Sequence, residues 1–199
     1  MRLKVGQMAP LFARRDMYGR GVALEHYQGR RVLLSFNRAA VCPLCNLRLH
    51  YLIYRYEEYR QRGLEIIAFF ESSPQQALYF LERQGAPFPI IPDVQHQVYD
   101  LYGLESSFFE AAKAFFTRRP AFREAAKKHI GGNMWQNLTR TEGPMGRKPA
   151  DFLLGPDLRV RVAHYGRDAG DYLAFADIDR FLSANPEPAW PRYGYESWR

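Results

Sequence analysis

The stretch that most constrains the fold is Val32-Leu33-Leu34-Ser35-Phe36, which runs into Arg38-Ala39-Ala40-Val41-Cys42-Pro43-Leu44-Cys45. A compact apolar run of this kind suits a buried central strand. Pro43 then marks the first position of a helix, where a missing N–H costs nothing. The chain must therefore build strand, turn and helix in that order, with both of its cysteines at the junction. Cys42 faces the positive end of the helix dipole, a position that favours a thiolate, and Cys45 lies one turn inside, within reach of a disulfide.

Three chemistries compete for such a pair. A closed zinc site wants four ligands, and neither a second C-x-x-C nor an H-x-x-x-H is present; His50 is the nearest histidine and stands alone. Two ordinary buried cysteines are the bland reading, because free cysteine is among the most buried residue types. A redox dithiol accounts best for both cysteines lying at a strand-to-helix junction with proline between them, since C-x-x-C near a βαβ pattern reads as thioredoxin-like. Neither a metal nor a cofactor is called for.

At 199 residues the chain can bury a full core as one domain over 1–199. It shows no charged-then-apolar leader and no apolar run of the roughly 18 residues a membrane span needs, so a cytoplasmic protein without a transmembrane segment is expected. There a disulfide would be transient or catalytic. The net charge of +7 admits anionic partners. The arginines are scattered, however, and no zinc-finger or RNA-binding signature accompanies them, so no specific nucleic-acid partner is expected.

Along the chain, Gly6 to Leu24 reads as a short hairpin turning near Asp16 and Gly19. After the cysteines, Leu49, Leu52, Ile53 and Tyr56 recur at helical spacing, with Arg48, Arg55, Glu57, Glu58 and Arg60 as the polar remainder, and Gly63 closes the helix. Leu64–Phe70 is a second buried strand, and Ser72-Ser73-Pro74 starts a helix that runs to about Gly85. Phe88–Asp93 is extended, and a brief helix through Val98 and Leu101 follows. This alternation predicts an α/β fold with a central mixed, mainly parallel sheet flanked by helices.

From Ser107 to Arg147 no strand is evident, and a helical insertion is expected there. Phe108, Phe109, Ala112, Phe115 and Phe116 form an apolar stripe, Arg118-Arg119-Pro120 interrupts it, and a basic helix runs from Ala121 to about Ile130. Aromatic stripes at this spacing usually pack on their own domain, so the insertion is expected beside the active site or at a homodimer contact. Pro149–Leu154 restores the sheet, Gly155–Leu158 makes a turn, and Arg159–Tyr165 alternates as an antiparallel strand. A final helix spans about Phe175 to Ser183, and an aromatic tail over 185–199 is expected to wrap the domain or a neighbour.

Several ordered fragments carry a family likeness: Gly6-x-x-Ala9-Pro10-x-Phe12, the Val32–Phe36 strand, Cys42-Pro43, Phe88–Asp93 with Tyr102-Gly103, and Pro149–Leu154. Together they resemble the peroxiredoxin-like proteins of the alkyl hydroperoxide reductase/thiol-specific antioxidant (AhpC/TSA) group, within the thioredoxin-fold superfamily. The likeness covers about Val5 to Leu182 apart from the insertion. It implies a four- or five-stranded thioredoxin core with Cys42 at the place of the peroxide-attacking cysteine. Peroxiredoxins carry P-x-x-x-T-x-x-C, whereas this chain has Ser35 at the proline position and Ala39 at the threonine position, so a peroxide-positioning hydroxyl is absent. Cys45 stands where many peroxiredoxins have an acidic residue, giving a C-P-L-C similar to thioredoxin. Pro149 is similar to the cis-proline that faces the thioredoxin dithiol.

The departures favour a thiol–disulfide oxidoreductase with Cys42 attacking and Cys45 resolving, Pro149 facing the pair and Arg38 lowering the Cys42 pKa. Losing a positioning donor costs a peroxidase on the order of a hundredfold in rate. A thiol peroxidase with antioxidant activity is the alternative, in which Cys42 becomes a sulfenic acid, Cys45 condenses with it, and Arg38 or Arg147 stands beside the thiolate. From another class, a non-catalytic binding protein would use the insertion, the tail and the Tyr165–Asp171 loop, whose Asp168 and Asp171 hold a cation or, more conventionally, cap the final helix. The expected partners are a protein or small-molecule disulfide, or a hydroperoxide, and a reductant that the sequence does not identify.

Overall fold

The computed structural model describes residues 1–106, 118–128 and 147–184. A hairpin of β1 (Ala13–Arg15) and β2 (Gly21–Ala23) precedes β3 (Arg31–Asn37), α1 (Pro43–Gln61) and β4 (Leu64–Phe70). Then come α2 (Pro74–Leu81), β5 (Ile90–Pro92), α3 (Gln97–Leu101), α4 (Arg119–Lys127), β6 (Ala150–Leu154), β7 (Val160–Tyr165) and α5 (Phe175–Ala184). The stripe Phe108–Phe116, the expected end of the basic helix at 129–132 and the tail 185–199 lie outside the described residues.

The main sheet has the order β5-β4-β3-β6-β7. The β4 strand pairs in parallel with β3 and β5, while β6 runs antiparallel to both β3 and β7. β3, β4, β5 and β7 thus run one way and β6 the other, the mixed, mainly parallel sheet that the sequence predicts. A tight turn through Gly155–Leu158 forces β7 antiparallel to β6, and β6 enters the sheet at the end where β3 leaves it.

All seven residues of β3 are buried, as a central strand covered on both faces requires. On one face Leu33, Ile66, Phe70 and Leu153 meet Leu49 and Leu52 of α1, Leu81 of α2 and Ile178 of α5. On the other, Val32, Leu34, Phe36, Phe69 and Phe152 meet Tyr99, Tyr102 and the N-terminal Phe12 and Leu24. The N-terminal segment also bonds to both outer strands: Gly6 and Gln7 exchange hydrogen bonds with Val160 of β7, and Met17 N donates to Ile90 O of β5.

Local signals account for the helix ends. Ser73 accepts a hydrogen bond from Gln76 N at the start of α2, and Gly63, at φ 76°, follows α1. The first turns of α1 depart from the expected amphipathic pattern: Leu44, Cys45, Asn46, Leu47, Arg48 and Leu49 are all buried. Arg48, assigned above to the polar remainder, is thus an interior cation. Among the described residues no helix is long and apolar enough to cross a membrane.

Candidate active site

The turn that follows β3 presents Cys42 as the N-cap of α1, with Pro43 in the first turn. Two buried side chains hold this turn in place. Ser72 Oγ accepts from Ala40 N at 2.9 Å, and Asn46 Nδ2 donates to the Ala40 and Cys42 carbonyls while its Oδ1 accepts from Gln84. Both cysteines are free thiols; Cys42 is partly exposed and Cys45 is fully buried.

Their acidities are pushed apart. A hydrogen bond from the Cys45 side chain, with the Arg38 guanidinium and the backbone N–H groups of Cys45 and Leu44, outweighs burial and lowers the Cys42 pKa to about 6. Arg38 Nη1 lies 3.9 Å from the Cys42 sulfur. Burial raises the Cys45 pKa well above that of an ordinary thiol, and the hydrogen bond and charge of Cys42 add to the rise. Burial opposes the Arg38 charge, but Cys42, Cys45, Tyr172 and Glu71 together outweigh it and raise the Arg38 pKa. The pair thus comprises one thiol that ionises near neutrality and one kept protonated beside it.

Alkylation of the reduced protein by iodoacetamide should therefore fall as pH drops through about 6, the thiolate being present above that midpoint and lost below it. Arg38→Met removes a stabilising charge, so the midpoint moves up and alkylation at pH 6 slows by about tenfold. An unchanged midpoint in the variant would show that Arg38 has no influence on the sulfur.

The structure separates the remaining predicted residues. Pro149 is buried and its carbonyl accepts from Gly166 N at 2.8 Å. Because Ala150 pairs with Phe36, Pro149 lies at the end of the sheet from which the Arg38–Cys42 turn departs. Its peptide bond is trans, which corrects the resemblance to a cis-proline. Arg147 is not beside the thiolate: it donates to Leu104 O at 2.8 Å, pairs with Asp100 at 3.3 Å and lies 3.6 Å from Glu71. Asp168 and Asp171 do not cap α5. Asp168 pairs with Arg118, and Asp171 accepts from the backbone and side chain of Arg167. Among the described residues no group of three or more metal-binding side chains occurs.

Glu71, His96, Arg48, Asp151 and Tyr172, none of which carries a local sequence signal, complete the surroundings. Glu71, whose N–H donates to Arg38 O, is a buried carboxyl held at about pKa 7 chiefly by burial, against the opposing charges of Arg147 and Arg38. His96 Nδ1 lies 3.1 Å from it. Arg48 pairs with Asp151 at 3.2 Å inside the protein, and its guanidinium covers the rings of Tyr172 and Phe175. Leu44, Arg48, Arg118, Gly170, Tyr172 and Phe175 line part of a largely apolar cleft of about 230 Å³ beside the dithiol.

Comparison with known proteins agrees with this arrangement. The thiol-disulfide oxidoreductase ResA of Halalkalibacterium halodurans is 32% identical over 102 residues, which are 51% of this chain and 57% of that protein. Peroxiredoxin Bcp of Escherichia coli is 32% identical over 108 residues, 53% of this chain and 69% of that protein. Among solved structures, a peroxiredoxin 6 of Arenicola marina superposes with a TM-score of 0.67 at 17% identity, covering 91% of this chain and 72% of that one. The peroxidoxin BcpB of Mycobacterium tuberculosis gives 0.63 at 16% identity, covering 92% and 96%. These likenesses establish the thioredoxin-like fold. Residues 5–163 match the AhpC/TSA family model, and with the sheet and the strand-to-helix cysteine junction described above, the chain belongs to the AhpC/TSA family.

Proposed function

We propose that the protein is a thiol–disulfide oxidoreductase in which Cys42 attacks and Cys45 resolves. The observation that carries this reading is the placement of two free thiols one turn apart at a helix N-terminus, the first partly exposed with Arg38 3.9 Å from its sulfur and the second buried behind it. The Cys42 thiolate attacks one sulfur of a substrate disulfide; the substrate S–S bond breaks, the first thiolate leaves and takes a proton from water, and a mixed disulfide remains on Cys42. Cys45 then loses its proton and attacks the Cys42 sulfur, expelling the second substrate thiolate. The substrate gains two electrons and the protein dithiol becomes a disulfide, which a second dithiol must reduce. Pro149 supplies backbone at the adjacent sheet end for a docking substrate, and Arg38 supports the nucleophile. A cytoplasmic setting, in which thiols are kept reduced, suits this cycle.

With Cys45→Ser the second step is blocked, so incubation with oxidised glutathione should accumulate a glutathione adduct on Cys42, visible by mass spectrometry. Failure to trap any adduct with glutathione or a protein disulfide would overturn the mechanism. The Arg38 contact at 3.9 Å also suits a thiol peroxidase in which Cys42 is oxidised to sulfenic acid and Cys45 condenses with it, releasing water. Ala39 offers no hydroxyl to such a reaction. Stopped-flow oxidation by hydrogen peroxide no faster than that of a free thiol would remove the peroxidase reading.

A further inference from the structure

Cysteine is not one of the oxygen-bearing residues that ordinarily fasten a helix start, and Cys42 closes no side-chain cap on α1. The fastening comes from inside the helix. Asn46, the residue after Cys45, is fully buried, and its Nδ2 donates to Ala40 O at 2.5 Å and to Cys42 O at 3.0 Å. Its Oδ1 accepts from Gln84 Nε2 at 2.8 Å, just beyond the end of α2. Both amide hydrogens and the amide oxygen are thereby used, and the reverse orientation would set an oxygen against two carbonyls. The same turn is tied further where Cys42 N donates to Ala39 O, Ala40 N donates to Ser72 Oγ and Asn46 N donates to Cys42 O.

We propose that Asn46 is a positioning residue of the dithiol, holding the Cys42 backbone so that its sulfur stays at the positive end of α1 and within bonding reach of Cys45. This role rests on the dithiol mechanism above. The residue that must react is thereby not the one that anchors the helix, and its sulfur is left free for substrate.

The position itself argues for such a role. Leu44, Leu47 and Leu49 are buried around Asn46 on the same helix, and leucine there would pack with better helix propensity and no polar group to satisfy. An amide is accommodated because all of its hydrogen bonds are made, and two of its three partners are carbonyls of the reactive turn. Geometry gives those bonds their use. Residues three apart on one helical turn have Cα atoms about 5 Å apart, inside the roughly 4.4–6.8 Å that a disulfide spans. An outward swing of Cys42 by about 2 Å would leave that range. In the mixed disulfide the substrate is attached to Cys42, whereas Cys45 is fixed in the core of the helix. Asn46 follows Cys45 in the same turn, so its amide ties the Cys42 backbone to the element that carries the resolving sulfur.

The test is Asn46→Leu in the full chain, a replacement of similar volume that changes no charge. Stopped-flow reaction of the reduced protein with excess 5,5′-dithiobis(2-nitrobenzoate) releases one chromophoric thiolate when Cys42 attacks and a second when Cys45 resolves; the second rate, being unimolecular, does not depend on reagent concentration. That second rate should fall by about tenfold. The pH midpoint of Cys42 alkylation by iodoacetamide should rise by about half a pH unit, because the sulfur loses its fixed place at the helix end. A lower urea midpoint with both readings unchanged would show that Asn46 serves stability alone, overturning the role while leaving the dithiol mechanism standing. Should the variant fail to fold, Gln84→Ala releases the amide from its partly exposed end and should slow the second phase by about threefold. An unchanged second phase there would likewise overturn the role. Release of a single equivalent by the wild type would instead overturn the mechanism, and this role with it.

Discussion

Asp151→Ala destabilises the protein by about 3–5 kcal/mol, because it strands a buried guanidinium. Asp151 is fully buried, and the Arg48 side chain is only 5% exposed. Removing the carboxylate leaves the Arg48 charge without its partner and the Leu173 N–H without its acceptor. Asp151→Asn keeps an acceptor for Leu173 and loses only the charge, so its cost falls between the two. The double replacement Arg48→Met with Asp151→Leu removes both charges and should recover most of the loss, since apolar residues of similar volume often replace an interior ion pair without penalty. Urea unfolding midpoints measure all three. A loss below about 1 kcal/mol for Asp151→Ala would mean that Arg48 reaches water once freed.

The second large effect is at Phe36, where truncation to alanine is expected to cost about 3–5 kcal/mol. Its ring stacks on Phe69 with centroids 4.4 Å apart and meets Tyr99, Tyr102 and Phe152 at 5.0–5.7 Å. Such aromatic pairs contribute about 0.5–1.5 kcal/mol each beyond the area they bury. The loss also reaches the site. Phe36 precedes Asn37, whose carbonyl accepts from the Tyr99 hydroxyl, and the reactive turn starts at the next residue. Phe36→Leu fills more of the space and should cost less than half as much; equal costs for the two variants would show that the ring contacts contribute little.

The strands were legible because each is an uninterrupted apolar run bounded by turn residues, and Val32–Phe36, Leu64–Phe70 and Ala150–Leu154 all became strands of the main sheet. The start of α1 was legible because proline after Cys42 has one comfortable place in a helix. The place of β6 beside β3 was not, because a buried run looks the same next to a parallel and an antiparallel neighbour, whereas the turn at Gly155–Leu158 marked β7 as antiparallel to β6. Arg38 was legible by its nearness in sequence to Cys42, whereas Arg147 was proposed for the same role on its nearness to Pro149 and the structure places it with Glu71 and Asp100. Tyr172, Arg48 and Asp151 come together from three separate segments, Glu71 meets Arg38, Arg147 and His96 from a fourth, and none carries a local pattern that marks it. Arg48 in particular has the helical position of a surface residue and becomes interior only because Asp151, Tyr172 and Phe175 enclose it.

The N-terminal segment has a bearing on self-association. By bonding to Val160 at one side of the main sheet and to Ile90 at the other, residues 6–17 occupy backbone groups through which a second molecule would extend the sheet. Growth by strand addition at those positions would first have to peel this segment away. Trimming the segment would expose those groups, and the expected result is concentration-dependent aggregation.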